Sequence, residues 1–171
     1  LVLLIFFISC TPTNNVVSNS QKLTPYNNVV WNYEIEPLVQ GSQGTYLFKV
    51  WSYLDDPNMI SEIATKNAIH AVLFKGIPAL ERQVAQPPII ESVVSDEFNE
   101  FFDQFFRTGG EYLKYVNLTS NGAIATGDRL KISEGRTTTY KIGMIVSINK
   151  DFLRKRMEDI GVIKSMSNIF N

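Results

Sequence analysis

A chain of 171 residues with 44% hydrophobic and 12% aromatic content has the apolar matter for a packed core and is far from a disordered composition. Its formal charge of -1, from 16 basic and 17 acidic residues, excludes the cationic footprint of a nucleic-acid binder. One cysteine excludes an internal disulfide framework and a multi-cysteine zinc site, and one histidine leaves little for metal or triad chemistry.

The first nine residues, LVLLIFFIS, carry no charge and are too few to span a bilayer, which takes about 20 apolar residues. They have the length of a signal-peptide apolar region, here truncated at its start. A small residue, Ser9, then stands directly before the lone Cys10. This arrangement resembles the lipobox of bacterial lipoproteins, with Phe7 where that family usually has Leu and Ile8 where it usually has a small residue. The resemblance implies cleavage before Cys10 and acylation of its sulfur. Several acyl chains, each buried CH₂ worth about 0.8 kcal/mol, make a durable anchor where one chain is marginal. Thr11 stands where the family's inner-membrane retention signal places an aspartate, so the resemblance implies an outer-membrane address, and the lack of an acidic surface-export tag just after Cys10 implies a periplasm-facing domain. The polar run that follows suits a tether. The expected organisation is a signal peptide over 1–9, lipidated Cys10 and a flexible tether over 10–30, and a single α+β domain over 31–171.

Along that domain, GTYLFKVWSYL (44–54) reads as a strand rich in β-formers, broken by Asp55-Asp56-Pro57-Asn58. The next segment reads as a helix over about 59–74, closed by Gly76. Ile60, Ile63, Ala64, Ala68, Ala71 and Val72 form its apolar stripe. His70 lies beside that stripe. No second His or Cys is available to join it, so its reading as a boundary residue with one hydrogen bond outweighs its reading as acid, base or ligand. Residues 77–91, broken by Pro78, Pro87 and Pro88, read as a long surface connection.

SDEFNEFFDQFFRTGG reads as a helix capped by Ser95 and stopped by Gly109-Gly110. Phe98, Phe101, Phe102, Phe105 and Phe106 form one apolar face expected to be core, with Glu100 and Asp103 solvated on the other. EYLKYVNL (111–118) reads as a strand. RLKIS-EG-RTTTYKIGMIVSI reads as a hairpin with Tyr140, Ile142, Met144, Val146 and Ile148 on one face of its second arm. NKDFLRKRMEDIG reads as a closing helix, capped by Asn149, with Leu153, Met157 and Ile160 buried and Gly161 as its stop. Arg154, Lys155 and Arg156 belong to a solvated face, since Glu158 and Asp159 follow at once. The expected fold class is α+β, one mixed or mainly antiparallel sheet with about three helices packed on it.

The strand-to-helix step with Ala64, Ala68 and Ala71, and the later Ile142, Met144, Val146 strand leading to buried Leu153, resemble small periplasmic lipoproteins related to a flagellar-assembly accessory domain. That likeness spans about half the chain and implies a role in envelope assembly, not a reaction. No phosphate-binding loop, dinucleotide fingerprint, zinc-protease helix or serine elbow is present in the sequence. The expectation is therefore a non-enzymatic lipoprotein with no cofactor, no metal and no catalytic residue, joined to the membrane through Cys10 and to an envelope protein partner. A glycan or peptidoglycan-fragment binder using Trp31, Trp51 and Tyr53 is the alternative. A hydrolase built on a carboxylate pair or His70 ranks third.

Overall fold

The computed structural model describes residues 26, 29–38, 44–80, 84–134 and 136–165. Cys10 lies outside them, as does the stretch read as a signal peptide. The five described strands are β1 (Tyr33–Pro37), β2 (Thr45–Leu54), β3 (Val116–Leu118), β4 (Arg129–Glu134) and β5 (Thr137–Asn149). They form one antiparallel sheet in the order β1-β2-β5-β3, with β4 also on β5. The thirteen-residue β5 is long enough to pair β2 along one edge while sharing its other edge between β4 and β3. In the gap between those two partners the Thr119 hydroxyl donates to the Ile145 carbonyl at 3.0 Å. The α+β architecture with a mainly antiparallel sheet is thus the one expected from the sequence.

Strand parity decides which face becomes core. Phe48, Val50, Ser52 and Leu54 of β2, and Ile142, Met144, Val146 and Ile148 of β5, are buried on one side. On that side lie α1 (Ile60–His70), α2 (Asn99–Phe105) and α3 (Lys150–Asp159). Ala64 and Ala68 are fully buried and let α1 approach the sheet closely, and Asn67 donates to the Ser52 hydroxyl at 3.0 Å. The apolar stripe of α1 is buried as read, except that Ile63 is only partly covered. After His70 the helix widens into a π turn over Ala71–Lys75 and stops at Gly76, whose φ of +78° an L side chain resists.

The phenylalanine helix is core on one side, with Phe102, Phe105 and Phe106 buried and Phe98 and Phe101 packed at its margin. Its first turn, Asp96–Phe98, is 3₁₀ and Ser95 makes no side-chain cap. Asp103 is paired rather than solvated, accepting the backbone N–H of Tyr26. The segment 111–118 departs further from its strand reading. Glu111–Lys114 is a 3₁₀ turn and only Val116–Leu118 joins the sheet. The tight turn brings Tyr112 and Tyr115, three apart, both into the core. In α3 the Asn149 side chain accepts the Phe152 N–H at 3.1 Å, the cap expected there. Leu153 and Met157 are fully buried, Ile160 is partly covered just past the helix end, and Gly161 follows with a φ of +82°. The consecutive basic residues of α3 are ion-paired: Arg154 with Glu158, Lys155 with Asp159, and Arg156 with Glu111. The described ends of the 77–91 connection are tied down. Ile89 and Ile90 are buried, and their N–H groups donate to Val72 and Leu73.

Candidate functional site

Three features meet at β1, whose sequence YEIEP alternates apolar and acidic residues: an aromatic box, a sheet face that no described α-helix covers (the helix-free face), and an edge groove. Tyr33 and Ile35 face the helices, while Glu34 and Glu36 face away from them.

On the helix side Tyr33 meets the C-terminal end of α1. Its hydroxyl and His70 Nδ1 share a hydrogen bond of 2.6 Å. Trp31 stacks on the imidazole with ring centroids 4.1 Å apart and 16° between planes. Phe74 closes a further side at 5.0 Å. Tyr26 stacks on Phe106 at 5.3 Å and tilts against Trp31 at 5.7 Å, so its ring is docked on the core. His70 is only 7% exposed. Burial, and secondarily the positive charge of Lys75, push its pKa down to about 3. The imidazole is therefore neutral at physiological pH and is enclosed rather than at the boundary. Its one hydrogen bond, expected from the sequence, is to Tyr33. Burial also raises the Tyr33 phenol far above its ordinary range.

On the opposite, helix-free face Trp51 and Tyr53 point outward with Lys49 from β2 and Lys141 from β5. A Cβ added to Gly143 would stand 3.0 Å from Cε3 and Cζ3 of Trp51, so the indole packs closely on this bare stretch of backbone. Its N–H donates to Glu36 at 2.7 Å, and the ammonium groups of Lys49 and Lys141 sit 5.2 and 5.4 Å from its centroid. Glu34 accepts from Lys141 at 2.7 Å and from the Tyr53 hydroxyl. The Lys141 bond, then the Tyr53 bond, hold the Glu34 carboxyl below its usual range, and Glu34 in turn raises Lys141. Lys49 also pairs with Asp128 at 2.8 Å. Beside Tyr53 a hollow of about 300 Å³ is lined by Asn32, Ile132, Thr137 and Thr139.

Along the remaining edge of β1 runs a groove of about 550 Å³, walled on the far side by residues 76–78 and 85–87 and lined by Tyr33, Ile35, Lys75, Ile77 and Pro87 among others. In the far wall Ile77 and Gln86 exchange both backbone bonds, at 2.9 and 2.8 Å. Gly76 makes this possible, because a Cβ there would stand 2.4 Å from the Gln86 carbonyl oxygen.

The structure separates the three aromatic candidates. Trp51 and Tyr53 share the helix-free face, whereas Trp31 belongs to the box on the other side of the sheet. Sequence reading missed β1 itself, and with it Tyr33, Lys75 and the groove. The alternation Tyr-Glu-Ile-Glu ended by Pro37 was the signal that could have found it. Among the described residues no group of three or more His, Cys, Asp or Glu side chains is placed to hold a metal ion, and no helix is long and apolar enough to cross a membrane. Comparison of the chain with protein-family models, with curated proteins and with solved structures finds no match.

Proposed function

We propose that this protein is a non-enzymatic envelope adaptor, held at the outer membrane through acylated Cys10 with its folded part toward the periplasm, where it binds another envelope protein. The observation that carries the reading is the helix-free sheet face. Helices cover one side of the sheet; the other presents Trp51 and Tyr53 held in place by Glu34, Glu36, Lys49 and Lys141. Leu130, 48% exposed, stands on that same face. Fixed aromatic and charged side chains of this kind lose little freedom on contact and are suited to act as anchors in an interface. Neutral His70, enclosed by rings, also weighs against acid–base work.

A photo-reactive residue at Leu130, with Lys155 on α3 as control, tests the reading in intact envelopes. The expected result is one discrete protein adduct from Leu130 and none from Lys155, together with an acyl mass increment that vanishes in Cys10→Ala. A freely soluble native protein with an unmodified thiol, or no adduct from Leu130, refutes it.

A second reading, a glycan or peptidoglycan-fragment binder, is favoured by one feature. Trp51 packs on the sheet at Gly143 as a fixed aromatic side chain, and the adjoining hollow offers the Asn32 amide and the Thr137 and Thr139 hydroxyls to sugar oxygens. Saturable binding of soluble muropeptides that disappears in Trp51→Ala would move the assignment to this reading.

A further inference from the structure

We propose that the groove along β1 takes an extended segment of a partner protein as an added strand, with a carboxylate of that segment seated on Lys75. The proposal rests on the adaptor reading and names where and how a partner chain would be held. β1 pairs only with β2 among the described strands, so its other edge carries the backbone groups that an incoming strand can use. Natural edges are commonly blunted by charge, bulges or a covering loop. Here both acidic residues of β1 point to the helix-free face and are engaged there, which leaves Tyr33 and Ile35 on the groove side.

The far wall stands off rather than closing the edge. It is held by the Ile77–Gln86 bridge, by the Tyr46 hydroxyl donating to the Gln86 side chain at 3.2 Å, and by the Ile89 and Ile90 bonds to the π turn.

The charge of the groove selects the occupant. Among the described residues of the lining Lys75 is the charged one and none is a carboxylate, and the Lys75 ammonium rests 4.0 Å from the Tyr33 ring centroid. The remaining lining is mostly Ile, Pro, Ala and Gly. Because side chains alternate along a strand, an apolar residue two positions from an acidic one would meet Ile35 and Ile77 while the acid reaches Lys75.

The test uses the chain from residue 11 onward and a labelled nine-residue peptide alternating valine and threonine, with glutamate at its centre, followed by fluorescence anisotropy. Companion peptides carry glutamine at the centre, or N-methyl groups on one or the other alternate set of amides. The expected result is saturable binding with Kd of about 10–500 μM. Binding should weaken at least fivefold for the glutamine peptide and for Lys75→Gln, with little further loss when the two are combined. Lys75→Arg should retain it, and one of the two methylated peptides should lose it. No saturation by about 1 mM, equal affinity for all peptides, or binding indifferent to both methylation patterns overturns the proposal. The Leu130 adduct lies on another face, so its loss with peptide binding intact removes the envelope role and leaves the groove, and the converse removes the groove alone.

Discussion

Lowering the pH from 7 to 5 should weaken the fold by about 2 kcal/mol through His70 alone. In the unfolded chain the imidazole titrates at its ordinary value of 6.5, whereas burial and then Lys75 hold it down to about 3 in the folded protein. Below pH 6.5 the unfolded chain therefore takes up a proton that the folded chain refuses, and stability falls as pH falls. The slope approaches about 1.4 kcal/mol per pH unit and ends near the folded pKa. For a chain of this size 2 kcal/mol corresponds to a Tm lower by about 4–8 °C. Carboxylates do not confuse this window. Burial works against ionised Glu62 and Glu111, but hydrogen bonds from Lys66 and Arg156 outweigh it and hold both below 4.5, so their stabilising effect is lost only at lower pH. Urea unfolding of wild type and His70→Phe at pH 7, 6 and 5 measures the effect. The variant is offset by about 1–3 kcal/mol because the Tyr33 hydroxyl loses its partner, yet its stability should be nearly flat over this range. As the only histidine, His70 also gives one imidazole NMR signal, which should show no titration above pH 5. A folded-state midpoint near 6.5, or an equal fall in the variant, refutes the reasoning.

Phe102 is fully buried against Tyr26, Phe74 and Phe106, so Phe102→Ala should cost about 3–5 kcal/mol, and half-buried Phe101→Ala distinctly less, by chemical denaturation. Gly143→Ala should lift Trp51 off the sheet, with a destabilisation of about 1–3 kcal/mol. In a Trp31→Phe background it should also red-shift the indole emission; unchanged emission and stability would contradict the packing. Asn149→Ala removes the α3 cap and should cost about 1 kcal/mol, while the neighbouring exposed Asp151→Asn should change stability by less than about 0.5 kcal/mol.

The elements readable from the sequence are those whose period matches the environment they finally meet. β2 and the β4–β5 hairpin form where strands were read, and α1, β5 and α3 bury most of the stripe that their spacing marks. The segment 111–118 misleads because Tyr and Val favour strands as residue types, while what decides it is the pairing of Tyr112 and Tyr115 into one core wall. Parity along β2 separates Trp51 and Tyr53 from the core, but it is silent on what lies beneath them, which depends on Gly143 from a strand 92 positions later. The Tyr33–His70 bond joins residues 37 apart and depends on both β1 pairing and the exact end of α1. Local pattern carries neither.

β1 has five residues and only one described partner strand, so by length alone it is the weakest described member of the sheet after the three-residue β3. Its side chains compensate on both faces by different physics. Glu34 and Glu36 bind exposed cations and an indole N–H, contacts that salt screens. Tyr33 binds a buried imidazole, a contact that salt scarcely touches and acid removes. Raising ionic strength at pH 7 should therefore loosen the helix-free face while the aromatic box stays closed, and acidification should release β1 from the helix side first. Amide exchange of Glu34 to Glu36 against that of α1 distinguishes the two. If both treatments open β1 and α1 together at the global unfolding free energy, the strand is an integral part of the core and its edge is not a separately adjustable docking element.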